Sequence, residues 1–290
     1  MPSLRQLISG AEPLIAVGAF NPLMAKLAEQ AGFKAIYLSG GSLGYLKGTL
    51  EANLFLPELM SVGIDIRSVC DLPIILDAAC GWGDPMHMHR TVALAEAAGF
   101  AAIEIEDQVF PKRAHHHTGV NVLISKELMV DKIREAAAAR SSNDFVIIGR
   151  TDAVRTAEGM EGALRRGEAY REAGADILLF TMQTYGAEET RLIGKRLGGP
   201  LMYGAREGLS SLPMPLRELR DLGYVLVAEA ATPLFAMFNA LKETYVAMAE
   251  FRPDPLVGSF QYFEFVKKIN SLIGADKLVE IEKRTVLAGH

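Results

Sequence analysis

The sequence is short of cysteine and tryptophan and contains no long apolar run. Only two of its 290 residues are cysteine and one is tryptophan. Two cysteines are too few for a disulfide scaffold, and the start MPSLRQLISG lacks the apolar segment of a secretory signal. No apolar run approaches the roughly 18 residues that a membrane span requires. We therefore expect a cytoplasmic protein with no membrane partner.

A surplus of positive charge is also missing. The chain has 30 lysines and arginines against 35 aspartates and glutamates, a net charge of −5. Without a basic stripe, a nucleic-acid partner has no electrostatic support. Hydrophobic residues make up 50% of the chain, which is enough for a large core. No linker-like tract divides the sequence, so we expect one barrel domain over residues 1–290, in which residues 252–290 form a helical tail.

A short phrase recurs four times along the chain. It reads as the last turn of an amphipathic helix, a glycine suited to the left-handed position after the helix, and a short buried strand. Helices are therefore expected to lead directly into strands. The copies are AEQAGFKAIYLS (28–39), AEAAGFAAIEIE (95–106), YREAGADILLF (170–180) and LRDLGYVLVAEA (219–230), with Gly32, Gly99, Gly174 and Gly223 in the glycine position.

Further apolar runs bring the number of expected strands to eight. Helical patterns lie between them, and strands that alternate with helices pair in parallel through right-handed crossovers. Eight such units predict an α/β fold, a (β/α)8 TIM-type barrel with a C-terminal helical extension. A doubly wound open sheet is the alternative, but GAFNPLM after the first strand is not a glycine-rich phosphate loop. The expected strands are 14–17, 35–38, 73–76, 102–105, 145–148, 176–179, 200–203 and 224–227.

Polar residues follow most of the expected strands. In parallel barrels the chemistry takes place at the carboxyl ends of the strands, so these residues are the site candidates. Acids, one arginine and a pair of glycines suit a divalent, oxygen-liking cation and an anionic substrate. The alternative for Asp107 and Asp152 is that they cap helices. The candidates are Ser39, Gly40, Gly41, Asp77, Glu106, Asp107, Arg150, Thr151, Asp152, Thr181, Tyr203, Gly204 and Glu229.

Four motifs resemble, in order and spacing, those of the isocitrate lyase and phosphoenolpyruvate mutase superfamily. The motifs are YLSGG (37–41), LDAACGWGDP (76–85), IEDQVFPKR (105–113) and GRTDA (149–153), and the similarity is strongest to the 2-methylisocitrate lyases. The resemblance implies an α/β barrel, a homotetramer or homodimer with a swapped last barrel helix, and Mg²⁺ (or Mn²⁺) as the cofactor. It also implies a small 2-oxo or 2-hydroxy carboxylic acid as the substrate.

The resemblance assigns roles to the first two strand ends. Ser39, Gly40 and Gly41 match the loop whose backbone amides bind the substrate carboxylate. Glycines allow the backbone to approach an anion closely. Tyr37 matches a tyrosine beside the reacting centre, which makes it a catalytic candidate.

The later motifs complete the implied site. Asp77 and Glu106 match carboxylates that hold the metal directly or through water, and Arg150 matches the arginine that binds the enolate oxygen or the carboxylate of the substrate. Thr181 and Gly204 occupy substrate-binding positions, although relatives carry Glu and Asn there. A second metal-shell acid of the family is replaced by Ala79. These differences predict a weaker metal shell and an altered substrate.

The histidine run in KRAHHHTG lies where lyases of the superfamily carry a Cys-Gly-His motif. Ala114 replaces the cysteine that protonates the leaving enolate, and His116 takes the position of the motif histidine. We expect His116 to supply the proton and His117 to lie on the surface of the loop. Because successive residues of an extended segment point to opposite sides, His115, His116 and His117 are not expected to bind one metal ion.

The leading prediction is a Mg²⁺-dependent carbon–carbon lyase that acts through an enolate on a small 2-hydroxy or 2-oxo di- or tricarboxylic acid. Two alternatives remain open. An oxaloacetate-type decarboxylase would end in the same enolate. A non-catalytic carboxylate-binding protein would explain why Ala79, Ala114, Thr181 and Gly204 replace functional groups of the superfamily.

Overall fold

Eight parallel strands form a closed barrel in the computed structural model, which describes residues 2–182, 186–258 and 262–287. The first strand pairs with the last as well as with the second, so the open-sheet alternative is wrong. The predicted barrel is confirmed, and each strand contains nearly all of its expected residues. The strands are β1 (Leu14–Gly18), β2 (Ala35–Leu38), β3 (Ile74–Asp77), β4 (Ala102–Glu106), β5 (Val146–Thr151), β6 (Ile177–Phe180), β7 (Leu201–Gly204) and β8 (Tyr224–Glu229).

Helices surround the barrel and extend beyond it in the tail. Between the repeated helices and strands, Gly32, Gly99, Gly174 and Gly223 all have positive φ, as the recurring phrase predicts. None of the described helices is long and apolar enough to cross a membrane. The helices are α1 (Leu4–Ile8), α2 (Pro22–Gln30), α3 (Gly40–Leu46), α4 (Leu56–Arg67), α5 (Pro85–Ala97), α6 (Lys126–Ala139), α7 (Gly159–Glu172), α8 (Ala187–Leu197), α9 (Leu216–Asp221), α10 (Ala231–Ala249), α11 (Tyr262–Ile273) and α12 (Ala275–Arg284).

The strands bury side chains on both faces, which is why they read as nearly continuous apolar runs. The inner set, which includes Ala16, Ile75, Ile148 and Leu226, fills the barrel. The outer set packs between the strands and the helices. Leu4 of α1 belongs to the inner cluster. The carboxyl ends of the strands are left to polar residues, and the candidate site lies there.

Candidate active site

A cavity of about 350 Å³ opens at the carboxyl ends of the strands. Most of the predicted site residues border it, namely Tyr37, Ser39, Gly41, Asp77, His116, Arg150, Thr181 and Gly204. Gly40 and Glu106 do not border it. Residues from six strands or the loops after them therefore meet around one space, as the strand-end argument predicts. The remaining lining residues are Ser42, Tyr45, Glu51, His117, Leu179, Met202, Ala205, Arg206, Ala228, Ala230, Ala231, Leu234 and Phe235.

The loop after β2 surrounds one end of the cavity. The Ser39 hydroxyl accepts a hydrogen bond from the Ser42 amide at 3.3 Å and so caps α3. The Gly40 amide donates to Asp77 Oδ2 at 3.1 Å, so in this state it serves the carboxylate of the protein. A Cβ at Gly40 would come within 2.8 Å of a Glu51 oxygen, so only glycine fits there. The loop thus holds Asp77 as well as facing the cavity.

Asp77 is one of two buried carboxylates that border the cavity, and Glu51 is the other. Its two oxygens accept hydrogen bonds from the backbone amides of Gly40 and Ala79, both at 3.1 Å. Burial, and then the negative charge of Glu51, raises the pKa of Asp77 above its ordinary value. Ala79 has a left-handed backbone with φ of 45°, which is costly for a residue with a side chain. The loop therefore stores strain in order to hold Asp77.

Glu106 is enclosed by cations. Its Oε1 is 2.7 Å from Lys112 Nζ, and its Oε2 is 3.1 Å from Arg150 Nη2. Neither oxygen accepts an aligned hydrogen bond, although both are buried. Burial raises the pKa of Glu106, against the opposing effect of Arg150 and Lys112. Both oxygens of Glu106 are thus engaged by cations of the protein.

Glu104 was not predicted from the sequence, yet it is central to the cluster. Its Oε2 accepts a hydrogen bond from the Tyr37 hydroxyl at 2.8 Å, and its Oε1 accepts one from Arg150 Nη1 at 3.1 Å. Burial, and then repulsion by Asp77, raises the pKa of Glu104 to about 8. The available signal was a glutamate two positions before Glu106 in a strand, because alternate residues of a strand share one face. It was hidden within an apolar run.

Arg150 connects these acids from the end of β5. Besides Glu104 and Glu106, its guanidinium lies 3.3 Å from Asp152. Burial disfavours the charge of Asp152, but Arg150 outweighs that effect and holds the pKa of Asp152 below its ordinary value. The charges of the surrounding acids keep Arg150 protonated despite its burial. Arg150 is thus a fixed positive charge at the cavity wall.

Other acids of the candidate list do not reach the cavity. Asp107 accepts hydrogen bonds from the hydroxyls of Thr151 and Tyr170, both at 2.7 Å, and pairs with Arg166. Glu229 accepts from the first backbone amides of α10. Glu229 thus caps α10, whereas Asp107 joins the end of β5 to α7 and caps no helix, so the capping alternative is wrong for Asp107.

The histidine loop forms a short 3-10 helix, Ala114–Thr118, so the expected extended segment is wrong. The tighter turn brings two neighbouring histidines, His116 and His117, to the cavity and leaves His115 exposed. The expectation that His117 lies on the loop surface is also wrong, because it borders the cavity with Nδ1 3.5 Å from the Tyr45 hydroxyl. In a 3-10 helix each residue rotates the chain by about a third of a revolution, so neighbouring side chains do not point in opposite directions as they do in a strand.

His116 is held by two amide side chains. Gln108 Nε2 lies 2.8 Å from His116 Nδ1 and also donates to Asp152, and Asn121 Oδ1 lies 3.0 Å from the same ring nitrogen. Burial, and then the charges of Lys112 and Arg150, lowers the pKa of His116 to about 4. The imidazole is therefore neutral near pH 7 in this state. An acid role would require it to gain a proton when an anionic substrate enters.

Comparison with known proteins agrees with this geometry. Residues 4–249 match the phosphoenolpyruvate phosphomutase family. The chain belongs to that family. It is 34% identical over 281 residues to 2,3-dimethylmalate lyase of Eubacterium barkeri, and the match covers 96% of both chains. It is 43% identical over 253 residues to 2-methylisocitrate lyase of Escherichia coli, and this match covers 85% of this chain and 76% of the relative.

A solved structure of phosphonopyruvate hydrolase in complex with oxalate and Mg²⁺ has a TM-score of 0.84, with 31% identity over 98% of both chains. The predicted superfamily is confirmed, and the chain is an enzyme of it whose relatives are carbon–carbon lyases or related enzymes. For this family member, the roles assigned to individual residues remain predictions.

The residues present fit a magnesium ion. Mg²⁺ is commonly bound by one or two carboxylates, with water and substrate oxygens completing its shell. Asp77 borders the cavity and would supply one such carboxylate. Glu106 does not border the cavity and pairs with Lys112 and Arg150, so it would act on the ion through water or through its charge. The described part of the chain has no group of three or more His, Cys, Asp or Glu side chains that could hold a metal ion by itself, so water and substrate oxygens would complete the shell. The buried carboxyl groups outnumber the buried cations of the cluster, so a divalent cation would reduce their repulsion. The carboxyl groups belong to Glu51, Asp77, Glu104, Glu106 and Asp152, and the cations are Lys112 and Arg150.

Proposed function

We propose that this protein is a Mg²⁺-dependent (or Mn²⁺-dependent) lyase that cleaves a carbon–carbon bond of a small 2-hydroxy or 2-oxo di- or tricarboxylic acid through an enolate. The observation that supports this most directly is that buried Asp77 and buried Arg150 both border one cavity at the carboxyl ends of the strands. This pair suits an oxygen-rich anion and its metal. The relatives named 2,3-dimethylmalate lyase and 2-methylisocitrate lyase support the same reaction class.

The bound metal would supply Lewis-acid stabilisation of negative charge on the substrate oxygens. The protein would bind the substrate carboxylate at Ser39, Gly40 and Gly41, with Thr181 and Gly204 bordering the rest of the substrate. Arg150 would donate hydrogen bonds to the oxygen on which charge develops, and such preorganised donors are commonly a large part of catalysis. Tyr37, whose pKa is raised by burial and by Asp77 and Glu104, stays protonated as a hydrogen-bond donor.

The bond changes balance without a further reactant. In a 2-hydroxy acid the C2–C3 bond breaks, and the hydroxyl passes its proton to a general base as C2 becomes a carbonyl. The electron pair leaves with C3 as an enolate that then takes up one proton, so no net proton is gained or lost. In a 2-oxo acid the C3–C4 bond breaks, and the pair stays on the 2-oxo fragment as its enolate. His116 is our candidate for the protonating group in either case.

We place the reaction in the cytoplasm and in a homotetramer or homodimer.

Turnover with and without metal tests this function. The purified protein, with Mg²⁺, is offered 2-methylisocitrate, 2,3-dimethylmalate and oxaloacetate, and pyruvate release is followed with a coupled dehydrogenase. We expect turnover of at least one acid and its loss in excess chelator. Release from oxaloacetate alone would favour the decarboxylase alternative. No turnover, together with ligand binding that is indifferent to chelator, would instead establish the non-catalytic alternative.

A further inference from the structure

The cavity is lined by both charged and apolar side chains. Asp77 and Arg150 are charged, whereas Leu179, Met202 and Leu234 form an apolar wall, in which Leu179 is the strand partner of Arg150. These three apolar side chains are almost fully buried, so they cannot turn away to admit a polar group. A second charge on the substrate therefore needs a partner elsewhere on the lining.

Two arginines border the cavity, and their surroundings differ. Arg150 is within ion-pair distance of three carboxylates. Arg206 donates one hydrogen bond, from Nη1 to the Met182 carbonyl at 3.4 Å, and forms no ion pair with an acid of the described residues. A guanidinium has five N–H donors, so most of those of Arg206 are available. Arg206 is therefore the cation that a second anion of the substrate can engage.

The backbone that carries Arg206 is firmly held. The Ala205 amide donates to the Ala228 carbonyl at 2.8 Å, and the Arg206 amide donates to the Gly204 carbonyl at 3.0 Å. These bonds extend the pairing of β7 with β8 to the residue before Arg206. The side chain thus starts from a fixed point beside the apolar wall. Such anchoring is what a recognition residue requires.

We propose that Arg206 is the residue that determines specificity for a distal carboxylate, so that the substrate is a 2-hydroxy dicarboxylate. Its planar guanidinium can bind a carboxylate with two parallel hydrogen bonds. Neither Thr181 nor Gly204 offers a charge for this purpose. The apolar wall accommodates alkyl substituents between the two carboxylates, and the exposed Arg206 is accessible to the distal one. This inference rests on the proposed function, because that function places the first carboxylate at Ser39, Gly40 and Gly41 and the reacting oxygen at Arg150.

Binding of three small acids in the presence of Mg²⁺ tests the assignment. Malate carries both carboxylates, 2-hydroxybutyrate replaces the distal carboxylate by a methyl group, and oxalate occupies only the Arg150 end. Calorimetry on the full-length protein should show malate binding at least tenfold tighter than 2-hydroxybutyrate. Arg206→Gln should reduce that ratio to about one and change oxalate affinity less than twofold. Arg206→Lys should retain part of the preference, because it keeps the charge and loses the bidentate geometry.

Arg217→Gln is the matched control, since Arg217 is an exposed arginine of α9 that does not border the cavity. It should leave all three affinities unchanged. If Arg206→Gln keeps the preference for malate, the role of Arg206 is overturned while the proposed function stands. If the wild-type protein binds oxalate no better without chelator than with it, the proposed function fails, and this inference fails with it. Oxalate binding by the variant also verifies that it is folded.

Discussion

Asp77 illustrates how a single carboxylate can be prepared for a cation. Two backbone amides hold its oxygens, while burial and a neighbouring acid make its own negative charge unfavourable. A carboxylate that is raised in energy in this way gains more from a nearby Mg²⁺ than a solvated one does. The missing acid at Ala79 should keep the overall affinity modest.

We therefore predict that Asp77→Ala weakens Mg²⁺ binding at least tenfold, measured by calorimetric titration. Asp71→Ala is the matched control, because Asp71 is an exposed acid just before the amino end of β3, away from the cavity. It should bind Mg²⁺ like the wild type. Equal affinities of the wild type and Asp77→Ala would show that the metal is held elsewhere.

His116 is the second residue whose environment can be tested directly. If it protonates the enolate, His116→Ala should lower kcat by roughly 10²- to 10⁴-fold and change KM little, because proton delivery belongs to the transition state. His115→Ala is the control in the same turn and should be close to wild type, since His115 is exposed. Steady-state kinetics of both variants decides the matter. A loss confined to His115→Ala would mean that the neighbouring histidine has the role.

The low pKa of His116 has a consequence for pH as well. Its folded-state pKa of about 4 lies below the value of about 6.5 for a free imidazole, so folding favours the neutral form. The stability that depends on this neutral imidazole is complete above pH 6.5 and is lost as the pH falls towards 4. Replacing His116 by asparagine should reduce the fall in thermal unfolding temperature over that interval. If the variant and the wild type show the same dependence of unfolding temperature on pH, the lowered pKa of His116 is contradicted.

At the scale of elements, one lysine joins two loops. Lys112 Nζ lies 2.8 Å from Glu51 Oε2 on the segment between α3 and α4, and 2.7 Å from Glu106 Oε1 at the end of β4. All three side chains are buried. The two acids raise the pKa of Lys112 even though burial opposes its charge. Lys112 thus holds the loop that carries the histidines against the segment that carries Glu51.

Removing this lysine should leave two buried carboxylates without their shared cation. We predict that Lys112→Met lowers the free energy of unfolding by about 3–5 kcal/mol, in a urea titration without Mg²⁺. The double variant Lys112→Met with Glu51→Gln should recover part of that loss, because it removes one of the unpaired charges. Lys126→Met, at an exposed site of α6, is the control. If Lys112→Met is as stable as the wild type, the ion pairs of Lys112 with Glu51 and Glu106 do not stabilise the contact between these two segments.

At the scale of the whole molecule, the C-terminal helices leave apolar side chains uncovered. On α10, Phe238 is 62% exposed and Met248 62%, and the following Phe251 is 98% exposed. The tail helices α11 and α12 bury no residue fully. Apolar patches of this kind commonly mark subunit interfaces. The sequence also contains an aromatic segment, FQYFEF (260–265), that we expect to contribute to the same subunit interface. Residues 260 and 261 of this segment lie outside the described residues.

We predict that the protein is a homotetramer or homodimer in solution. Light scattering should give two or four times the 31.5 kDa of one chain. Combining Phe238→Glu with Met248→Glu should shift the mass towards the monomer, whereas Met86→Glu, an equally exposed apolar residue on α5, should not. A monomeric wild-type mass would end this prediction, and a dimer would still be compatible with exchange of the last barrel helix.

The sequence alone was enough for the barrel, because strand and helix periods and the glycines after helices are local signals. It also indicated Asp77, Arg150 and the glycine loop, since residues that end parallel strands meet at one edge. It did not reveal Glu104, whose importance comes from Tyr37 and Arg150, 67 and 46 positions away. The tertiary structure alone decided that His117 joins His116 at the cavity, that Glu106 pairs with Lys112 and Arg150, and that Arg206 has no acid partner among the described residues. Pairings between distant strands and loops determine those surroundings, and burial then sets each group's charge, which no local pattern encodes.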